Sequence, residues 1–357
     1  MENFPTGIAI VYCEGAYNTT NGKTAHGLVR FTKRYDVMCV IDSRYSGKDA
    51  GLILDGKANG IPVKATTEEA VKYIEERGKI PTHFVVGLAP DGGRLSSVAE
   101  EDVKNALRLG LNVDSGLHDF LSENREMKEL AAEHNVVIRD IRKPLHRNEL
   151  HFFSGKIEKV DSLKVALLGT DSAVGKRTTA WILVHALQEA GYKAELIGTG
   201  QTAWLQGARY SIIMDTLVND FVSGEIEHAV YSAWEEQKPD VIVIEGQGSL
   251  MNPAYPGGFE ILAAGRPDIV VLQHAPARKE YDGFPGYPIQ PLPKQIEAVE
   301  MISGKKVVAV TVNHENIADE EIIAVCKEIE KEVHLPAIDV LKEGGSVLAK
   351  TILRFLK

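Results

Sequence analysis

Cysteine is scarce: Cys13, Cys39 and Cys326 are the only three among 357 residues, and they form neither a CxxC nor a Cys/His metal spacing. That excludes a disulfide framework and a zinc ribbon, and an odd number of scattered thiols fits a reducing, cytoplasmic setting. All three sit in or at the ends of apolar runs, so packing is their expected role. No Lys/Arg-rich block is present and the formal charge is −10, so the basic stripe that a nucleic-acid partner needs is missing. No apolar run approaches the roughly 20 residues of a membrane span. The first residues also lack the charged-then-apolar order of a secretory leader. None of the 11 His completes an HxH or HExxH pattern. A small molecule is therefore the expected partner, without nucleic acid or membrane, and a homo-oligomer stays open.

What the chain does have is length and alternation. Its 357 residues exceed what one core ordinarily supports. Short β-branched runs alternate with helical patterns throughout, as in parallel sheets covered by helices. Strand-like runs fall at 7–13, 37–42, 82–88, 111–114 and 135–141, and helical stretches at 23–33, 67–77, 98–109 and 119–134. They predict a Rossmann-like unit of about five strands. From Lys143-Pro144 to Gly155 the alternation breaks. The expected organisation is a Rossmann-like domain over residues 1–145, a linker over 146–162, and a P-loop nucleoside triphosphate hydrolase-fold domain over 163–357. Strands in the latter are predicted at 164–168, 194–198, 241–245, 269–273 and 307–312, with a closing helix at 345–355.

The strand at 164–168 runs into Gly169-Thr-Asp-Ser-Ala-Val-Gly175-Lys176, and a helical pattern follows. Strand, glycine-containing loop, Gly-Lys and helix is the order that gives a phosphate loop its physical meaning. Backbone N–H groups curl around phosphate oxygens, the helix start adds partial positive charge, and Lys176 adds a full one. The expected phosphate contacts are Gly169, Thr170, Asp171, Ser172, Ala173, Val174, Gly175, Lys176, Arg177, Thr178 and Thr179. Two departures bear on chemistry. The glycine spacing is one residue longer than in GxxxxGK, and Arg177 stands where a Mg²⁺-binding Ser or Thr usually follows the lysine.

This loop resembles the GTDTxVGKT loop of dethiobiotin synthetase. Asp240-Val-Ile-Val-Ile-Glu245-Gly-Gln-Gly-Ser is similar to the VEGAGG segment of the same group. That likeness implies that Glu245 faces a metal or phosphates. A broader resemblance spans both halves. Ser115-Gly-Leu-His-Asp-Phe-Leu, Asp140-Ile-Arg-Lys-Pro, the phosphate loop, Thr199-Gly-Gln-Thr, Asp220-Phe-Val-Ser-Gly-Glu-Ile-Glu and Ile244-Glu-Gly-Gln-Gly-Ser-Leu occur in order. They resemble a bacterial and archaeal family that joins a Rossmann-like half to a P-loop half. One branch of it is D-glutamate N-acetyltransferase, so the resemblance implies acetyl-CoA as cofactor. Ala203-Trp204 departs from the family's small residues, which puts pocket size in question.

Other strand ends carry further candidates. Gly15 to Lys23-Thr24 looks like a second phosphate loop, but its glycine interval is too long and its content polar, as in an Asn/Thr-capped turn. Gln201 and Thr202 are donor–acceptors suited to orienting a polar substrate. Arg278 could clamp a carboxylate by two parallel hydrogen bonds. Asp215 is either an N-cap for a helix expected at 216–236 or a partner of a metal or Lys176. The catalytic candidates are Glu245, Asp215, His274 and Lys176, the first three as bases for a substrate amine. Acetyl transfer from acetyl-CoA to an acidic amino acid is the leading reading. ATP with Mg²⁺ held by Thr178, Asp215 and Glu245, activating a carboxylate or carbamate, is the second. A nucleotide-responsive binding protein without turnover is the third.

Overall fold

β-Branched runs too apolar to alternate become strands buried on both faces, the state that parallel sheets under helices require. The structure, a computed structural model, describes residues 4–356, the side chain of Asp91 apart. It divides into two units: Met1–Pro144 with Gln201–Gly207, and Leu145–Gly200 with Ala208–Lys357.

The first unit has a six-stranded sheet of β1 (Gly7–Tyr12), β2 (Tyr35–Ile41), β3 (Val63–Lys64), β4 (His83–Val86), β5 (Asn112–Ser115) and β6 (Ile138–Asp140). The order is β3-β2-β1-β4-β5-β6, every pairing parallel, with the direction of winding reversing between β1 and β4. This is the Rossmann-like arrangement, with one strand more than the periodicity showed. β3 has two residues, too few to carry a period. The helix expected from 119 begins at Arg125, because Asn124 caps it by accepting the Met127 N–H at 3.2 Å.

The second unit has seven parallel strands: β7 (Leu163–Gly169), β8 (Ala194–Gly198), β9 (Tyr210–Ser211), β10 (Val241–Glu245), β11 (Ile269–His274), β12 (Val307–Val312) and β13 (Ala337–Ile338). Their order is β13-β12-β11-β7-β10-β8-β9, so β7 is central, between β10 and β11. All seven residues of β7 are buried. At about 1.5–3 kcal/mol for each large aliphatic side chain, this strand anchors the unit and fixes where its C-terminal loop emerges. The edge strands β9 and β13 are again two-residue pieces absent from the sequence reading.

Residues 145–160 are strapped to the helix Asn219–Gln237 of the same unit. The buried Glu225 accepts the His151 N–H at 2.7 Å, and the buried Glu227 accepts from Ser154 N–H at 2.6 Å and Ile157 N–H at 3.1 Å. Glu225 and Glu227 thus hold the segment from His151 to Ile157 on this helix. That helix begins at Asn219 with Val218 in the N-cap place, so Asp215 does not cap it. All three cysteines are buried and free, and burial pushes each thiol's pKa up.

Candidate functional site

The site grows from the C-terminal end of β7. There the chain turns through residues 170–175 into the helix Lys176–Glu189, whose first-turn N–H groups have no partners within the helix. Gly175 has φ of 102°, a conformation a side chain rarely adopts, and this turn aims those N–H groups into the loop.

Asp171 organises the loop. Its carboxylate is wholly buried and accepts four hydrogen bonds: Ser172 N–H at 2.7 Å, Asn252 Nδ2 at 2.7 Å, Arg278 at 2.8 Å and Asp282 N–H at 2.8 Å. One carboxylate therefore ties the loops after β7, β10 and β11 together. Arg278 extends the tie to the loop after β12 through Glu315, with bonds of 2.7 and 2.9 Å, and also donates to the Ser172 carbonyl at 2.8 Å. Asn313 donates to the Val174 carbonyl at 3.0 Å.

The expected phosphate contacts divide accordingly. Thr170, Asp171, Val174 and Thr179 are buried and use their side chains to hold the loop. The Thr170 hydroxyl meets His274 Nδ1 at 3.0 Å, and the Thr179 hydroxyl donates to Gln273 at 2.5 Å. Ser172, Ala173, Gly175, Arg177 and Thr178 are partly or fully open to solvent, beside the buried Lys176 and Gly169.

Lys176 folds over the loop. Its ammonium donates to the Asp171 carbonyl at 2.7 Å and to the Gly248 carbonyl at 2.8 Å. Burial pulls its pKa from 10.5 to about 8, against the attraction of Glu245 and Asp171. Glu245, ending β10, is 5% exposed and accepts the Thr199 N–H at 3.0 Å. Burial raises its pKa, while Arg177, the Thr199 N–H and Lys176 oppose the rise. A cation pair thus faces one buried carboxylate of raised pKa, an arrangement able to hold anionic oxygen and take a proton side by side.

The remaining candidates fare differently. His274 is drawn down to about 4 by burial and by Lys279, so its imidazole is neutral at neutral pH and serves Thr170. Arg278, expected as a substrate clamp, instead braces the loop, with its guanidinium committed to Asp171, Ser172 and Glu315. Gln201 and Thr202 lie on the short helix Gln201–Leu205, which counts with the first unit rather than with the unit carrying the phosphate loop. There the buried Thr202 shares a 3.1 Å hydrogen bond with Thr24, and Gln201 packs on Gly116. Trp204 is likewise first-unit packing, with Arg34 stacked 3.5 Å from its ring centroid. Asp215 lies in a one-turn 3-10 segment, Met214–Thr216. Among the described residues no group of three His, Cys, Asp or Glu gathers as a metal centre would need. Asp171 as a hub, Asn252, Asp282, Asn313 and Glu315 were not legible in sequence, since each acts through a partner distant along the chain.

Residues 151–349 match the P-loop domain of a family described as a domain of unknown function (DUF1611_C), and residues 43–144 match its Rossmann-like companion (DUF1611_N). The chain belongs to the DUF1611 family. It is 31% identical over 268 residues to the D-glutamate N-acetyltransferase of Pseudoalteromonas sp, covering 73% of this chain and 78% of that protein. To the D-glutamate N-acetyltransferase of Tritonibacter scottomollicae it is 28% identical over 275 residues, or 75% and 80% of the two chains. A crystal structure of a DUF1611 family protein from Anabaena variabilis superposes with a TM-score of 0.88 at 26% identity, over 97% of this chain and 99% of that one. For DUF1611, then, the two α/β units expected from alternation are the family's architecture. No helix among the described residues is long and apolar enough to cross a membrane.

Proposed function

We propose that this chain transfers an acetyl group from acetyl-CoA to the amine of an acidic amino acid of the D-glutamate type. The observation that carries the reading is the pairing of Lys176 and Arg177 with the buried Glu245 beside a phosphate loop whose Mg²⁺-ligand position is arginine. The two relatives named D-glutamate N-acetyltransferase support it.

The residues fit the coenzyme's phosphates. The helix-start N–H groups behind Gly175 are aimed at an anion, and Lys176 can exchange its two carbonyl acceptors for phosphate oxygens. Arg177 adds charge where a metal would otherwise be required. Acetyl-CoA supplies the activated acyl group as a thioester. Glu245 takes the proton that the substrate ammonium must lose, which frees the nitrogen lone pair to form the new C–N bond. The C–S bond breaks as that bond forms, and the second proton that the nitrogen must give up to become an amide passes to the departing sulfur, so the coenzyme leaves as the thiol. Burial of Glu245 suits the task, because a raised pKa strengthens the base while proton transfer to it stays inside the site.

Calorimetry with acetyl-CoA and with ATP–Mg²⁺, each with and without EDTA, tests the grip. A thiol-release assay across D- and L-amino acids tests the transfer. Acetyl-CoA binding indifferent to EDTA, with thiol release on adding D-glutamate or a close acidic relative, is the expected outcome. Metal-dependent ATP binding without thiol release from any acceptor overturns it.

A further inference from the structure

Glu245 is gripped by one residue at both its side chain and its backbone. β8 lies beside β10 with Ile197 opposite Ile244, so the residues that follow the two strands stay adjacent. The buried Thr199, just past β8, donates its N–H to Glu245 Oε2 at 3.0 Å and its hydroxyl to the Glu245 carbonyl at 3.1 Å. The Thr199 carbonyl accepts the Met214 N–H at 3.2 Å, which holds the residue from its other side. Gln247, two positions beyond Glu245, donates from Nε2 to the Thr199 hydroxyl oxygen at 2.9 Å. That oxygen thus accepts from Gln247 and donates to Glu245, and both ends of the chain of bonds lie on the segment 245–247.

Two glycines leave room for this chain. A Cβ on Gly200 would stand 3.1 Å from Gln247 Nε2, and one on Gly246 would stand 2.4 Å from the Leu167 carbonyl oxygen. Gly246 N–H donates to that same carbonyl at 3.0 Å, which ties the turn after β10 to β7. The carboxylate is oriented as a result. Its last torsion is broad and two-fold, so without a partner the two oxygens would exchange places. The Thr199 N–H selects one of them. Oε2 is spent on it, while Oε1 makes no hydrogen bond to any described residue.

We propose that Thr199 and Gln247 are positioning residues for Glu245: by holding Oε2 they leave Oε1 to take the proton from the substrate amine. The inference rests on the acetyl-transfer reading with Glu245 as base, and adds which oxygen acts and what aims it. A base works only within hydrogen-bond reach of its proton and in a fixed orientation, so slack in this clamp costs rate. The Thr199 N–H also favours the charged carboxylate, against the rise caused by burial. A slack clamp therefore lets the acid-side fall in rate move to higher pH.

Rate–pH profiles of thiol release from acetyl-CoA with D-glutamate, on the wild type, Thr199→Val, Gln247→Leu, the double variant and Thr199→Ser, test this. Thr199→Val keeps the side-chain shape and the N–H but removes the link from Gln247 to Glu245. Its kcat should fall about tenfold, its acid limb should rise by about one pH unit, and its acetyl-CoA affinity by calorimetry should hold. Gln247→Leu should move the limb the same way by less, since the Thr199 hydroxyl still reaches the carbonyl. The double variant should be no worse than Thr199→Val, as two residues on one chain of bonds require. Thr199→Ser, which keeps the hydroxyl, should return the limb to its wild-type pH. A limb that stays put in Thr199→Val while kcat falls makes Thr199 a structural brace, and additive losses in the double variant uncouple the two residues; either overturns the proposal. Should Thr199→Val fail to fold, an unmoved limb in Gln247→Leu overturns it instead. A wild type that releases no thiol, or a Glu245→Gln variant that keeps the acid limb, overturns the acetyl-transfer reading first and this inference with it.

Discussion

Replacing Lys176 with methionine should stabilise the unliganded protein while weakening its hold on phosphate. The buried ammonium has its pKa pulled from 10.5 to about 8. At about 1.36 kcal/mol per pKa unit, keeping that charge costs about 3 kcal/mol. Methionine removes the charge, fills similar volume, and orphans the Asp171 and Gly248 carbonyls, which returns about 1 kcal/mol each. The net expectation is a gain of about 1 kcal/mol at neutral pH, where both folded and unfolded lysine are protonated and the penalty is complete. Between pH 8 and 10.5 the unfolded chain holds the extra proton, so wild-type stability rises with pH relative to the variant. Against acetyl-CoA the sign reverses, with affinity falling about 10- to 100-fold as a charge-assisted bond is lost. Urea unfolding of both proteins across this pH range, paired with calorimetry, reads both effects. A variant less stable than wild type at neutral pH, or one that binds unchanged, refutes the picture of a strained cation kept for ligand.

Asp171→Ala should lose about 3 kcal/mol, because the buried Asn252 amide and the Ser172 and Asp282 N–H groups lose their acceptor and Arg278 keeps only Glu315 as a carboxylate partner; a denaturant midpoint close to wild type would show the hub to be dispensable. Glu245→Gln should cut kcat by about 10²- to 10⁴-fold with acetyl-CoA affinity little changed. Since burial raises the Glu245 pKa, the wild-type rate should fall on the acid side at a pH above the ordinary carboxylate range, as the base takes up its proton. That limb should be missing from the residual activity of the glutamine variant, and its persistence would point to a different base.

The alternation of apolar runs and helical patterns was enough to read both α/β units, and the local order of β7, loop and helix was enough to read the phosphate loop. These features are encoded within ten or twenty neighbouring residues, where periodicity and turn chemistry operate. Edge strands of two residues escaped notice because they exist only through their pairing partners. Arg278 shows the same boundary in the site. An arginine at a strand end looks available for substrate until folding brings Glu315, 37 positions away, and Asp171, 107 positions away, against it.

Sequence alone thus determined the fold class, the position of the P-loop between β7 and the helix Lys176–Glu189, and the identity of the carboxylate at the end of β10. Tertiary structure decided which charges are already spent, which helix belongs to which unit, and how deeply Lys176 and Glu245 are buried. The physical reason is range. A turn is chosen by neighbours along the chain, whereas desolvation and hydrogen-bond satisfaction depend on whichever strand ends come to lie side by side in the sheet.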